Sequence, residues 1–128
     1  ADALGHALTD AIFRALALGD LGHHFPDTGE RFRGADSLAL LAEAGRRALQ
    51  AGWHVVNVDS TIVAQAPKMA PHILAMRQRI AQALAVKVEQ VSVKAKTAER
   101  LGPVGAGESM EARAVCLLYT LRRPVVPA

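Results

Sequence analysis

The sequence predicts a single α+β domain in which three helices pack on a small sheet. The chain has 128 residues, which is enough for one domain. Hydrophobic residues make up 51% of it and charged residues 21%, so it can bury a core and is not disordered. Three helical patterns and three stretches typical of strands are present. Two of the strands flank a helix, which predicts a crossover unit with parallel strands and right-handed connection.

The helices are predicted from apolar residues that recur at three- and four-residue spacing. Their expected ranges are Ala3–Leu18, Ser37–Gln50 and Pro71–Leu84. Asp36 or Ser37 is expected to cap the second helix. Gly19 and Gly52 are expected to end the first and second helices. Pro71 suits the first position of the third, where its missing N–H is not needed.

The strands are predicted from stretches rich in β-branched or alternating residues. Their expected ranges are Trp53–Ala64, Gln90–Thr97 and Ala112–Leu121. The long polar segment from Asp20 to Asp36 is expected to be a loop that is functional or mobile. A three-stranded sheet is thin for three helices, which indicates that a further strand belongs to the fold.

Composition excludes several classes of function. No run of about 18 apolar residues is present, so no membrane span is expected. No signal peptide is visible. The single cysteine, Cys116, cannot form an internal disulfide and is predicted to be a packing residue in a protein of a reducing compartment. The net charge of +3 is small and scattered, which argues against nucleic-acid binding but suits a small anionic ligand.

Polar residues gather where the two parallel strands end. Residues 64–70 join the first of these strands to a helix N-terminus, a place that suits anions. The second strand ends in two lysines on one face, Lys94 and Lys96, followed by Thr97 and Glu99. This set suits a phosphate with a hard divalent cation, although an ordinary polar strand end is equally compatible.

Two further segments are candidates for ligand binding. His6 and Asp10 lie four residues apart and share a helix face, but one His and one Asp do not make a metal site, and a surface histidine is the simpler interpretation. The loop residues 20–22 and 25–28 offer Gly and Asp to a ligand, while a plain loop is the commoner alternative. From the residues alone, we predict a site for a phosphorylated small molecule, with or without a metal, at one edge of the sheet.

Seven segments, taken together, resemble the 2-C-methyl-D-erythritol 2,4-cyclodiphosphate synthase family of the non-mevalonate isoprenoid pathway. They occur in the family's order and at its spacing between His6 and about Leu118. They are HALTDA from His6, LGDLG from Leu18, HFPDT from His24, FRGADS from Phe32, NVDSTIVAQAPKM from Asn57, PHI from Pro71 and VKAKTAERLG from Val93. Each segment is a weak signal, whereas the ordered set is highly specific.

The resemblance implies a lyase that cyclises 4-diphosphocytidyl-2-C-methyl-D-erythritol 2-phosphate to the 2,4-cyclodiphosphate and releases CMP. It also implies an α/β sandwich: a mixed sheet with three helices on one face. The expected assembly is a homotrimer whose sheets face the central axis and whose active sites lie between subunits. The expected location is the bacterial cytoplasm, with no nucleic-acid or membrane partner. The alternative is a truncated or inactive relative that binds cytidine nucleotide without turnover.

The same resemblance implies roles for individual residues. His6 matches one of three zinc ligands, and the other two belong to an Asp-x-His motif upstream of Ala1. Thr97 matches the hydroxyl that stabilises the transferring phosphate, and Glu99 matches the carboxylate that holds Mg²⁺ or Mn²⁺. The methylerythritol contacts correspond to Asp20, Leu21 and Gly22, and the flap over them to Phe25, Pro26, Asp27, Thr28 and Gly29. The cytosine-binding turn corresponds to Ala64, Gln65, Ala66, Pro67, Lys68, Met69 and Ala70, and further substrate contacts to Lys96, Ala98, Pro103 and Ala106.

The chain departs from the family pattern at several positions. Gly29 stands where the flap often has a second Asp, and Lys96 where some members have Thr. Pro103 and Ala106 stand where many members carry an aromatic residue and an Arg near the trimer axis, while Glu108 fits the pattern. Family members are longer at the N-terminus, so residues 1–128 are expected to form one cyclodiphosphate-synthase-like domain without its N-terminal strands.

Overall fold

The computed structural model describes residues 2–17, 35–64, 69–97 and 110–121. Within these ranges the chain forms three α-helices and three strands. The helices are α1 (Asp2–Ala15), α2 (Ala35–Gln50) and α3 (Ile73–Leu84), and the strands are β1 (Trp53–Val63), β2 (Val91–Lys96) and β3 (Glu111–Thr120). Short 3₁₀ turns at Ala70–His72 and Val88–Gln90 precede α3 and β2.

The three strands form one mixed sheet in the order β2–β1–β3. β1 and β2 are parallel, with Val58 opposite Val91 and Val63 opposite Lys96. β1 and β3 are antiparallel, with Val58 opposite Cys116. Since β1 and β2 are parallel and joined through α3, the predicted crossover unit is confirmed.

The helices cover one face of this sheet and form the core with it. Alternate residues of β1, Val58, Ser60 and Ile62, are buried at 1–2% exposure beneath the helices. The largest buried side chains of the helices are Phe13, Leu8, Ile12, Leu40 and Leu41. Because strand side chains alternate between faces, the residues between those buried ones point away from the helices.

The opposite face, here called the open sheet face, is exposed. It carries Asp59, Lys94, Lys96, Arg113, Val115, Leu117 and Tyr119. Three of these residues form an apolar stripe along β3, with exposed fractions of 71% for Val115, 56% for Leu117 and 45% for Tyr119. The Tyr119 ring stacks on His54 with centroids 4.9 Å apart. The fold therefore leaves a partly apolar surface on the side that the helices do not cover.

Two predicted helix ends are wrong. α1 ends at Ala15 instead of Leu18, because Ala17 adopts a left-handed conformation with φ 58° that an α-helix does not allow. α2 begins at Ala35, so Asp36 and Ser37 lie inside the helix and not at the position that precedes it. Gly52, in contrast, has φ 88° just after α2, as predicted for a residue that ends a helix.

The remaining boundaries differ by small amounts. Pro71 lies in a 3₁₀ turn in which the His72 N–H donates to the Met69 carbonyl oxygen at 2.8 Å, and α3 starts two residues later. The strand limits differ from the predictions by one residue at most at each end. Trp53, Met69 and Met76 pack partly buried against the core. None of the described helices is long and apolar enough to cross a membrane.

Candidate functional site

The carboxyl ends of β1 and β2 meet at one edge of the sheet. Val63 is paired with Lys96, and the Ala64 N–H donates to the Lys96 carbonyl oxygen at 3.1 Å. The described ends of the two strands therefore lie side by side. The carboxyl ends of β1 and β2 lie at one edge, as expected for parallel strands, while residues 65–68 of the turn after β1 lie outside the described residues. Open α/β sheets bind ligands at this kind of edge.

The polar end of β2 presents its charges on the open sheet face. Lys94 and Lys96 are exposed and Ala95 between them is partly buried, so the two lysines share one face, as predicted. Thr97 follows directly and is exposed. Two ammonium groups and a hydroxyl at a strand end can donate to phosphate oxygens.

Arg113 adds a cation that the sequence analysis did not single out. Thr61 of β1 lies between Lys94 on β2 and Arg113 on β3, so the three residues form one row across the open sheet face. The Arg113 side chain is 79% exposed and lies 3.7 Å from the Glu111 carboxylate. The alternation of β3 indicates that Arg113 shares a face with Val115 and Leu117. Its alignment with Lys94 depends on the register of the antiparallel pair β1 and β3, which the spacing of residues within β3 does not predict.

His6 is the described residue that best fits a metal ligand. Its Nε2 atom is buried and has no hydrogen-bond partner among the described residues. A buried polar atom without a partner costs about 1–3 kcal/mol, so such an atom needs an explanation. Imidazole nitrogen is a common zinc ligand, and the arrangement therefore fits a zinc ion at Nε2. No cluster of three possible ligands occurs within the described part of the chain, so the other donors must come from outside it.

Asp10, one helical turn after His6, makes a different contact. Its carboxylate lies 3.9 Å from the Arg14 guanidinium, and its side chain is 30% exposed. Cys116 is also poorly suited to binding a ligand, as predicted for a packing residue. Its thiol donates to the Ala11 carbonyl oxygen at 3.3 Å, and burial raises its pKa. A thiol with a raised pKa is a weak nucleophile at neutral pH.

His6 and Thr97 lie toward opposite edges of the described sheet. α1, which carries His6, packs mainly against β3, whereas Thr97 follows β2. The order β2–β1–β3 puts two strand spacings, about 10 Å, between these strands. The fold thus separates the candidate metal ligand from the candidate phosphate-binding end within one subunit.

Many of the candidate residues lie outside the described residues, and their roles stay predictions. These are Asp20, Leu21, Gly22, Phe25, Pro26, Asp27, Thr28, Gly29, Gln65, Ala66, Pro67, Lys68, Ala98, Glu99, Pro103 and Ala106. Of the predicted cytosine-binding turn, the structure describes the two ends. Ala64 is 7% exposed, and Met69 and Ala70 lead into α3.

Comparisons with known proteins agree on one family. The model of the YgbB family matches residues 1–119. A 2-C-methyl-D-erythritol 2,4-cyclodiphosphate synthase of Laribacter hongkongensis is 59% identical over 120 residues, which cover 94% of this chain and 74% of that protein. A bifunctional enzyme IspD/IspF of Albidiferax ferrireducens is 63% identical over 118 residues, which cover 92% of this chain and 28% of that protein.

A solved structure shows the same architecture. It is described as IspF of Plasmodium falciparum in complex with CDP. Its TM-score to this chain is 0.80 at 30% identity, and the match covers 91% of this chain and 69% of that one. The chain thus spans about a quarter of the bifunctional relative and about three quarters of the single-function relative.

Proposed function

The chain belongs to the YgbB family, and from this premise we propose that the protein cyclises 4-diphosphocytidyl-2-C-methyl-D-erythritol 2-phosphate to 2-C-methyl-D-erythritol 2,4-cyclodiphosphate. An oxygen of the substrate's 2-phosphate attacks the β-phosphorus. The bond from that phosphorus to the oxygen bridging it to the α-phosphorus breaks. CMP leaves with the bridging oxygen and its electron pair. The cyclic diphosphate contains all the remaining atoms.

This reaction requires no nucleophile from the protein. The attacking and leaving groups both belong to the substrate, so catalysis rests on alignment and on stabilisation of charge. Holding reacting groups in line can lower a barrier by about 7–11 kcal/mol at best. The absence of a covalent intermediate agrees with the raised pKa of Cys116, since that thiol is not activated.

The proposal rests on one observation: the ends of β1 and β2 lie side by side, with the Ala64 N–H donating to the Lys96 carbonyl oxygen at 3.1 Å. In the proposed site the turn after Ala64 holds the cytosine, mostly through backbone groups. The segment after Lys96 holds the diphosphate. The Thr97 hydroxyl donates to the transferring phosphate, and the Lys96 ammonium offsets its charge. The distance between cytosine and phosphates is thus fixed by the pairing of two strands.

Two metal sites complete the proposed centre. His6 would hold zinc through its buried Nε2, together with donors from outside the described residues. Glu99 would hold Mg²⁺ or Mn²⁺ near the α- and β-phosphates. When bound, these ions neutralise charge on the phosphates and orient them for attack.

The proposed assembly is a homotrimer with its active sites between subunits. The positions of His6 and Thr97 toward opposite edges of the described sheet support this arrangement, because it would bring the edge of one subunit against the other edge of its neighbour. The apolar stripe of the open sheet face supports it too, since Val115 and Leu117 gain burial if three sheets face a common axis. A cytoplasmic location is part of the same proposal.

The test is release of CMP by the protein expressed from its full gene. The protein is incubated with the cytidylyl substrate and Mg²⁺, and the products are separated by ion-exchange chromatography. We expect CMP and the cyclic diphosphate in equal amounts. A folded, metal-loaded protein that binds CMP but releases none from the substrate would support the alternative of an inactive relative and overturn the proposal.

A further inference from the structure

A glycine lies at a close contact between α1 and α2. A Cβ atom added to Gly5 would lie 2.7 Å from the Ser37 Oγ, 2.9 Å from the Ser37 Cβ and 3.4 Å from the Ser37 carbonyl oxygen. The contact is fully enclosed, since Ser37 is 1% exposed. Rotation of the serine side chain would relieve the first of these contacts. It would leave the second, so the two helices would have to move apart to accept any other residue at position 5.

Glycine at position 5 is unfavourable for the stability of α1, and the close contact with Ser37 explains why glycine is nevertheless present. Glycine inside a helix is less favourable than alanine by about 0.5–1 kcal/mol. Gly5 is the fourth of the 14 residues of α1. Its carbonyl oxygen accepts a hydrogen bond of 2.9 Å from the Thr9 hydroxyl, which is itself 0% exposed. Thr9 belongs to the same helix, so this hydrogen bond stabilises the turn of α1 that starts at Gly5, whereas the contact with Ser37 is made to α2.

The next residue along this turn is His6. The orientation of its imidazole follows from the position of the α1 backbone, because adjacent residues of a helix move together. The buried Nε2 atom has no protein partner among the described residues that could correct a displacement. A shift of α1 away from α2 would therefore move the nitrogen with the helix.

We infer that Gly5 is a positioning residue for the zinc site. Because glycine lets α2 approach the backbone of α1 at Ser37, it sets the distance between the two helices. That distance in turn sets the position of the His6 Nε2 atom. This inference rests on the proposed function, because it takes His6 to be a zinc ligand. It adds a residue that carries no ligand atom of its own and acts through the packing of two helices.

The test compares the zinc affinity of Gly5→Ala with that of the unaltered protein, both expressed from the full gene. Affinity is measured by competition with a chromogenic chelator after the purified proteins have been stripped of metal. We expect a loss of about tenfold or more, since groups that orient a metal ligand typically contribute roughly 10–100-fold. The unfolding midpoint of the metal-free proteins is measured in parallel to separate positioning from stability.

Gly45→Ala is the matched control. Gly45 also lies at a helix contact, where an added Cβ would meet the Leu84 Cδ2 at 3.2 Å. That atom is the movable end of a side chain in α3, remote in sequence from His6. Gly45→Ala is expected to change zinc affinity by no more than about twofold, since distant sites act independently. An equal loss in both variants would overturn the inference, because it would indicate a general effect on packing.

Rescue tests the contact itself. Ser37→Gly removes both close atoms of the serine side chain, so the double variant Gly5→Ala/Ser37→Gly is expected to regain the zinc affinity of Ser37→Gly alone. Ser37→Ala keeps the Cβ at 2.9 Å and is expected not to rescue. If Gly5→Ala does not fold, Ser37→Thr adds a methyl group at the same enclosed contact from the α2 side, and its zinc affinity is measured instead.

The outcomes separate the inference from the proposed function. Unaltered protein that binds no zinc would overturn both, because His6 would then not be a ligand. Zinc binding that Gly5→Ala and Ser37→Thr leave unchanged would overturn the inference and leave the proposed function intact. A loss in Gly5→Ala that Ser37→Gly restores would support the inference.

Discussion

Replacing Leu117 with lysine is expected to separate the subunits of the proposed trimer without unfolding them. Leu117 lies in the middle of the apolar stripe of the open sheet face, between Val115 and Tyr119. A lysine there would place one ammonium group from each subunit near the threefold axis. Lys94 and Arg113 on the same face already contribute cations, so the added charges would repel.

The size of the effect follows from the exposure of Leu117. Full burial of a leucine side chain stabilises by about 1.5–3 kcal/mol. Because 56% of Leu117 is exposed in the single chain, covering it would contribute about 0.8–1.7 kcal/mol per subunit. Three subunits together would lose about 2.5–5 kcal/mol, which lowers the association constant roughly 60- to 4000-fold before any repulsion between the charges.

Sedimentation velocity of the protein expressed from its full gene measures this change. We expect trimers in the unaltered protein and monomers for Leu117→Lys at micromolar concentration. Leu49→Lys is the matched control: Leu49 is 58% exposed on α2, in the helix layer. The same substitution at nearly the same exposure should leave the trimer intact. Circular dichroism should show folded protein in both variants.

Two results would refute this reasoning. Leu117→Lys protein that stays trimeric would show that the open sheet face does not form the interface. Dissociation by Leu49→Lys and not by Leu117→Lys would place the interface on the helix layer instead. Activity should fall with dissociation, because His6 and Thr97 are proposed to meet only across subunits.

Four further predictions concern single residues. Thr97→Ala should lower turnover about 10²–10³-fold, as loss of a hydrogen bond to developing charge does, and leave CMP binding nearly unchanged; equal losses in steady-state kinetics and calorimetry would contradict its role. Glu99→Gln should raise the Mg²⁺ or Mn²⁺ concentration needed for half-maximal activity, and an unchanged metal titration would remove that assignment. Leu8→Ala, at a core position with 0% exposure, should lower the free energy of unfolding by about 2–5 kcal/mol in urea titrations; a loss under 1 kcal/mol, on the same scale, would contradict its place in the core. Burial raises the pKa of the Cys116 thiol. The contribution of the protonated thiol to the free energy of unfolding should therefore be complete below the ordinary thiol pKa and should decline as the pH rises through the higher pKa of the folded protein. Alkylation by iodoacetamide as fast as that of a free cysteine would contradict this.

The sequence predicts the elements of this fold well because their patterns are local. Apolar spacing locates the three helices of the described ranges, and β-branched or alternating residues locate the three strands there. The ends of the helices are harder to predict from these patterns. The left-handed Ala17 and the start of α2 at Ala35 depend on which backbone groups bond in the first and last turns, and the spacing of apolar side chains does not report those bonds.

The site is predictable only where a topological rule applies. Ala64 and Thr97 could be placed at one edge because a crossover unit makes its two strands parallel. The row of Lys94, Thr61 and Arg113 depends on the register of an antiparallel pair, which no local pattern in β3 specifies. The contact of Gly5 with Ser37 joins residues 32 positions apart, and a glycine before a histidine gives no sign of it. The roles implied by resemblance for residues outside the described ranges stay predictions.

Turnover in ¹⁸O-labelled water shows whether the substrate's own 2-phosphate is the nucleophile. The protein expressed from its full gene is incubated with the cytidylyl substrate and Mg²⁺ in this water, and both products are examined by mass spectrometry. We expect CMP and cyclic diphosphate that contain no ¹⁸O from the solvent. Incorporation of one ¹⁸O atom into either product would mean that water attacks phosphorus, which would contradict the proposed cyclisation.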